Sequence, residues 1–257
     1  MNLTRRLARA VAPEFFLILA VLVVWIVGLE AFDVSPLIGA RPWTVAFWLS
    51  EPANGAETLA YLMATARDTA VGFVIGLGLS LIAACTFVVV PAIEQAVGPL
   101  LVLLRVVPLV VLTPVLTLLF GGGLGGVSAT VSIVVFFPAL AMLVFGLRSS
   151  PAILLDVVAV NGGGRVAALL WVRLRAALPF LVGAATVTLP AAVTGATIAE
   201  WLVTGLGLGG AMSRAAGSFR FVEVWADAAV LTASTVLVHV VLSAIRAILD
   251  RSVEIQQ

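Results

Sequence analysis

Residues 106–147 read VVPLVVLTPVLTLLFGGGLGGVSATVSIVVFFPALAMLVFGL, with no Asp, Glu, Lys or Arg between Arg105 and Arg148. A helix rises about 1.5 Å per residue and the hydrocarbon of a bilayer is about 30 Å thick, so about 20 apolar residues make one crossing. This stretch is too long for one crossing, and Gly121-Gly122-Gly123-Leu124-Gly125-Gly126 is its natural break. Two membrane helices follow. One begins near Val97, carries Arg105, Pro108 and Pro114, and is expected to kink; the other runs from about Val127 to Leu147 and contains Pro138.

The rest of the chain has the same character. Of 257 residues, 62% are hydrophobic and 11% charged, more apolar surface than a soluble globule of this size can hide. Soluble enzymes and nucleic-acid modules are thereby set aside. Further charge-free runs lie at Phe15 to Leu29, between Glu14 and Glu30, at Thr69 to Ile93, at Ala176 to Ala199 and at Ala228 to Ile245. Gly72, Gly76 and Gly78 in the second of these let another helix approach closely. The N-terminal flank is basic like a signal peptide, but no A-x-A cleavage pattern follows, so the first helix is expected to stay attached. The expectation is an all-α integral membrane protein of six transmembrane helices, with both termini on one side.

Arginine decides which side, because short cytoplasmic segments are enriched in basic residues. Arg5, Arg6 and Arg9 precede helix one, Arg148, Arg165, Arg173 and Arg175 lie between helices four and five, and Arg246 and Arg251 follow helix six. On the opposite face, Arg41, Arg67, Arg214 and Arg220 are mixed with acids. Both termini are expected to be cytoplasmic. The chain divides into residues 1–57 (N-terminal segment, first helix and outer loop), a core at 58–246 containing a cytoplasmic loop at 148–177, and a cytoplasmic tail at 247–257.

Several chemistries are excluded. The sequence holds no lysine, so it has no GxxxxGK[ST] phosphate loop and no lysine base or Schiff base. One cysteine, Cys85, and one histidine, His239, cannot build an internal disulfide or a multi-ligand metal centre. Gly205-x-Gly207-x-x-Gly210 has the letters of a dinucleotide fingerprint, but it follows a membrane helix and not a strand, so it reads as an outer loop or re-entrant turn.

The 148–177 loop is too apolar for a linker. Pro151 can start a helix, Ile153, Leu154, Val157, Val158 and Val160 fit a short amphipathic helix, and Gly162-Gly163-Gly164 end it. A second short helix follows, with Leu169, Leu170, Val172 and Leu174 beside Arg165, Arg173 and Arg175. Such an elbow suits docking of a soluble partner; the plainer reading is a helix pair lying on lipid headgroups.

At this loop the sequence resembles the permease subunits of type I binding-protein-dependent ABC importers, whose pattern is E-A-A, three residues, G, nine residues, then I-x-L-P. Asp156 takes the acidic position, Val157 and Val158 the alanines, Gly162 the glycine, Val172 the isoleucine and Leu174 the leucine; Arg175 stands in place of proline. Arg105-Val106-Val107-Pro108 with Thr113-Pro114, Phe136-Phe137-Pro138, and Ala199-Glu200-Trp201 before Gly205-Leu206-Gly207-Leu208-Gly209 are similar to the nitrate, sulfonate and taurine branch. The resemblance covers about residues 58–246. It implies the type I ABC permease fold and a membrane subunit without an enzymatic site of its own. It further implies a cytoplasmic ATPase holding ATP and Mg, an extracytoplasmic solute-binding protein and a second permease copy, preferentially the same chain. No cofactor is expected on this chain. The implied ATPase-coupling residues are Asp156, Asn161, Gly162, Gly163, Gly164 and Arg165. The expected solute is a sulfonate, taurine, nitrate or similar anion, or a vitamin-precursor pyrimidine.

Ionisable groups at membrane depth are functional candidates by default, and Arg105 and His239 are candidates for the translocation path. Thr113, Thr117, Thr186, Thr188, Thr194 and Thr197 could line a polar route, although threonine in such helices commonly bonds its own backbone. Two other classes stay open. A secondary carrier or channel would show internal repeats and embedded charges. A rhomboid-like intramembrane serine protease would use Ser128 with His239, but Ala129 stands where its G-x-S-G pattern needs glycine.

Overall fold

The computed structural model describes the backbone of residues 20–254 and the side chains of residues 20–242. Arg5, Arg6, Arg9 and the start of the expected first span lie outside these. Among the described residues all regular elements are helical: α1 (Ala20–Ala31), α2 (Pro42–Ser50), α3 (Pro52–Val89), α4 (Pro91–Val106), α5 (Leu109–Phe120), α6 (Leu124–Arg148), α7 (Ala152–Val160), α8 (Arg165–Ala168), α9 (Leu174–Ala199), α10 (Gly207–Gly217) and α11 (Phe221–Glu254). A π turn at Leu169–Arg173 joins α8 to α9 and a second at Glu200–Thr204 ends α9, so Arg165–Thr204 is one continuous helix of 40 residues.

α3, α6 and this long helix carry the packing. Ser128 and Ser132 of α6 donate their hydroxyls to the carbonyls of Asp68 and Gly72 of α3, at 3.2 and 3.0 Å. A step of four residues on one helix is matched by four in the same direction on the other, so α3 and α6 run parallel. Their backbones meet because glycine leaves room: a Cβ at Gly72 or at Gly76 would lie 2.6 Å from the carbonyl oxygen of Ser128 or Ser132. The long helix runs the other way. Its Ala184, Ala192, Ala196 and Ala199 form a core with Val127, Val131, Val135 and Ala139, whereas Leu169 and Ala177 join Leu143, Leu147, Ala84 and Phe87 at the far end.

Parallel α3 and α6 require a return path, and α4 and α5 provide it with a bend of 106° between them. Pro108 explains the break. It has no N–H to continue the helix, and its ring drives Val107 to an extended conformation, φ −66° and ψ 124°. The expected kinked helix from Val97 is therefore a bent pair that starts at Pro91, and α5 alone, about 18 Å long, is shorter than the hydrocarbon is thick.

Other boundaries are corrected too. α3 begins at Pro52, well before Thr69; α11 starts at Phe221 and continues to Glu254 through most of the expected tail. The second loop helix is not separate, because its π turn leads directly into α9. Among the described residues, four helices are long and apolar enough to cross a membrane, five if the bent pair counts as one. Six had been expected; of the first, only Ala20–Ala31 is described.

The two ends of the bundle are distinct. Gly121–Gly126, α10, the first turns of α3 and the α2 region gather at one end, where Trp225 stacks on Trp25 at 5.1 Å and donates to the Ile38 carbonyl at 2.8 Å. The 149–164 connection, Val89 and the first turn of α4 gather at the other.

Candidate functional site

At the loop end, α7 follows Pro151 and closes in a glycine turn. The N–H of Gly162 bonds the Ala159 carbonyl at 2.9 Å and that of Gly163 bonds the Val158 carbonyl at 2.8 Å, the two crossed bonds of a Schellman cap. Gly162 adopts φ +78°, which side chains with a Cβ resist. Asn161, the last cap residue, donates its Nδ2 to the Val157 carbonyl at 2.7 Å. The chain then turns at Gly164 into α8, and Arg165 reaches back to the Val89 carbonyl at 3.4 Å. Arg173 bonds the Leu147 carbonyl at 3.0 Å, and Arg148 pairs with Glu94. Arginines thus tie the loop to the ends of α3 and α6, and the end of α6 to α4.

No residue of α7 is buried. Ile153, Leu154, Val157, Val166, Leu170 and Trp171 are exposed, and Val160 is 87% exposed. Leu155 and Val158 are half-buried, while Ile153, Leu154, Val157 and Val160 remain open. Asp156 is also exposed, but it sits in the middle of α7 and not in its first turn, and it makes no ion pair among the described residues. Asp156, Asn161, Gly162, Gly163, Gly164 and Arg165 do fall on one continuous elbow.

The opposite end holds a feature the sequence reading did not assign. Glu200 is fully buried in the π turn after α9. Its Oε2 accepts the Thr65 hydroxyl at 2.9 Å and the Gly209 N–H at 3.0 Å, while Thr65 Oγ1 accepts the Leu208 N–H at 2.9 Å. Gly207, at φ +63°, lets the chain pass directly over the carboxyl group: a Cβ there would collide with Glu200 Oε1 and lie 2.5 Å from Thr65 Oγ1. The glycine segment is thus a helix seated on a buried acid. Two more acids are buried at this end, Asp68 on α3 and Asp227 on α11. Asp68 pairs with Arg67 at 2.8 Å, and Asp227 accepts the Thr58 hydroxyl at 3.2 Å. The signal in the sequence was a lone carboxylate between a charge-free run and a glycine-rich one.

The other candidates separate. Arg105 is exposed in the last turn of α4, two residues before the bend at Val107, and His239 is exposed on α11. Ser128 is buried and spends its proton on the Asp68 carbonyl, and no hydrogen bond joins it to His239. The threonines bond the carbonyl four residues back, at Thr113, Thr117, Thr186, Thr188, Thr194 and Thr197, as backbone-bonded membrane threonines do.

Long apolar helices, a bent pair and an exposed helix-glycine-helix elbow define a multi-pass, all-α protein of the cell membrane. Residues 76–255 match the family described as binding-protein-dependent transport system inner membrane component, and the chain belongs to that family. It is similar to the riboflavin transport system permease protein RibX of Chloroflexus aurantiacus, 30% identical over 62% of this chain and 59% of that protein. A probable ABC transporter permease protein of Haemophilus influenzae is 30% identical over 56% of this chain and 59% of its own length. The formylaminopyrimidine transport permease protein ThiX of Halalkalibacterium halodurans is 24% identical over 80% of this chain and 81% of its own length. The match with the first two spans about three-fifths of their length. A chain of the methionine ABC transporter MetNI, solved in inward-facing conformations, superposes with a TM-score of 0.57 at 22% identity, covering 82% of this chain and 97% of that one. That likeness shows the fold, an ABC permease fold.

Proposed function

We propose that this chain is the membrane-spanning permease subunit of an ATP-driven importer. A separate cytoplasmic ATPase, holding ATP and Mg, docks on α7 and its glycine turn, and an extracytoplasmic binding protein delivers the solute to the opposite end. The observation that carries the reading is α7 itself: a short helix with no buried residue, with Ile153, Leu154, Val157 and Val160 exposed, displayed at one end of a bundle of the permease family. Asp156, Asn161, Gly162, Gly163, Gly164 and Arg165 form the coupling element. The 148–177 loop and both termini are cytoplasmic in this reading, supported by the arginines at 148, 165, 173 and 175. Two copies of the chain pair around the path.

Coupling works as rigid-body motion. Closure of the ATPase pair on ATP moves the docked elbow, and the helices continuous with it follow. The solute is a heteroaromatic vitamin or vitamin precursor in place of the sulfonate, taurine or nitrate suggested by branch resemblance, because two relatives are named for riboflavin and formylaminopyrimidine. Affinity purification of the tagged chain from its own cells tests the core of the proposal: an ATP-hydrolysing subunit co-purifies with the parent chain and is lost with Gly162→Asp/Arg165→Glu. Recovery of the chain without any such subunit overturns it. Calorimetry of the binding protein with riboflavin, a formylaminopyrimidine, taurine and nitrate reads the solute class, and tight binding of taurine or nitrate alone rejects the assignment.

A further inference from the structure

The helix that leaves the 148–177 loop does not end until Thr204, about 60 Å away at 1.5 Å per residue. Its loop end bears Arg165 and its far end bears Glu200. There the carboxylate joins three elements. Glu200 belongs to the long helix, Thr65 to α3, and Leu208 and Gly209 to the first turn of α10. The first-turn N–H groups of a helix have no partner within it, and a carboxylate suits the positive end of its dipole. Here Leu208 finds Thr65 and Gly209 finds Glu200. Thr65 has a single proton, given to Glu200, and its lone pair receives Leu208, so this one hydroxyl bonds both other elements. There is no slack in the packing. A Cβ at Gly209 would lie 2.8 Å from Glu200 Cβ, and α10 buries Gly207, Leu208, Gly209, Gly210, Ala211 and Ala215.

We infer that Thr65 and Glu200 are positioning residues of the transport cycle, forming the joint that delivers displacement of the loop end of the 40-residue helix to α10 and α3 at the opposite end. The inference rests on the importer reading above. A helix transmits a push only as far as its far end is fixed to something, and this buried three-way joint is what fixes it. Loosening the joint leaves the elbow free to follow the ATPase while α10 no longer follows the elbow. Hydrolysis then continues without response to the binding protein.

The test uses the complete complex in nanodiscs, with ATP hydrolysis measured with and without the purified binding protein. Thr65→Val and Glu200→Gln are expected to assemble and to keep basal hydrolysis within about twofold, while stimulation by the binding protein falls about tenfold or more; Thr65→Ser restores it. In a Cys85→Ser background, maleimide labelling of Ser218→Cys, just past α10, is expected to change rate between nucleotide-free and ATP-trapped complex. That change disappears with Thr65→Val. Stimulation within about twofold of the parent complex in both Thr65→Val and Glu200→Gln overturns the joint, as does loss of assembly and basal hydrolysis in both, which marks a purely structural role. A parent complex that binds no ATPase overturns the importer reading itself, and the joint with it.

Discussion

Ser132 donates its hydroxyl to the carbonyl of Gly72 at 3.0 Å while lying within 2.7 Å of the carbonyl of Ser128, one turn back on its own helix. The same hydroxyl therefore stands at the seam where α6 meets α3, and the seam repeats four residues earlier with Ser128 on Asp68. Lipid tails give apolar helices no reason to prefer one another over solvent, so close packing and interhelical hydrogen bonds must hold such a seam.

The seam predicts a contrast among three glycines of α3. Gly72→Ala and Gly76→Ala place a methyl 2.6 Å from a backbone oxygen and are expected to destabilise by about 1–3 kcal/mol, the range for overpacking. At Gly78 nothing lies within 4 Å of the new Cβ, so Gly78→Ala is expected to be neutral or to stabilise by up to about 1 kcal/mol through helix propensity. Thermal unfolding of the three variants in detergent checks the order. Equal midpoints would mean that the glycines do not set the approach of α3 and α6.

Ser132→Ala removes one interhelical bond without adding bulk. A loss of about 0.6 kcal/mol is expected, the mean for such bonds in membrane helices. Denaturation in mixed micelles measures it, and a loss above about 2 kcal/mol would show that the bond is part of a larger network.

On α7, Ile153→Asp and Val160→Asp change side chains that are 72% and 87% exposed. Stability of the isolated chain is expected to shift by no more than about 0.5 kcal/mol. Capture of the ATPase subunit is expected to fall about tenfold or more, because a carboxylate would replace an apolar side chain on the proposed docking helix. The two measurements together separate docking from folding: a large drop in melting temperature with unchanged capture would remove α7 from the interface.

How much of this was legible beforehand follows from what each feature depends on. The glycine break and the α7 cap were readable because local chemistry makes them: a charge-free run too long for one crossing, and glycine where a helix needs a left-handed residue. The bend at Val107 was half legible. Pro108 announced a disturbance, but whether a helix kinks or breaks depends on what neighbouring helices leave open. The parallel course of α3 and α6 was hidden, since no pattern within either helix encodes the direction of its neighbour. Glu200 was hidden for a related reason. A charged residue beside Gly205 and Gly207 looks like a loop, and only the approach of Thr65, 135 positions away, turns it into the seat of a helix.

Arg148 and Glu94 are both partly exposed, and their ion pair links α6 to α4 at the loop end. Exposed pairs contribute about 0–1 kcal/mol and are screened by salt. A double-mutant cycle with Arg148→Ala and Glu94→Ala is expected to give a coupling energy below about 1 kcal/mol that vanishes near 1 M salt, where the screening length is about 3 Å. A coupling that persists in salt would make the pair part of the buried framework.

Gly205 and Gly207 both adopt left-handed backbone, at φ +65° and +63°, yet they differ in what surrounds them. Around Gly205 a Cβ would meet nothing within 4 Å; at Gly207 it would strike the Glu200 carboxyl group and the Thr65 hydroxyl. Gly205→Ala should therefore cost only the conformational term, about 1–2 kcal/mol. Gly207→Ala carries the same term and must also displace a buried carboxyl group from two hydrogen bonds, for a total of about 3–5 kcal/mol. Because most of the excess arises from the Glu200 carboxyl group, it should shrink in a Glu200→Ala background, where only the close approach to the Thr65 hydroxyl remains, while the cost of Gly205→Ala stays as it was. Unfolding midpoints of the single and double variants read this directly. Equal costs for the two glycines in both backgrounds would mean that α10 is not seated on the carboxylate.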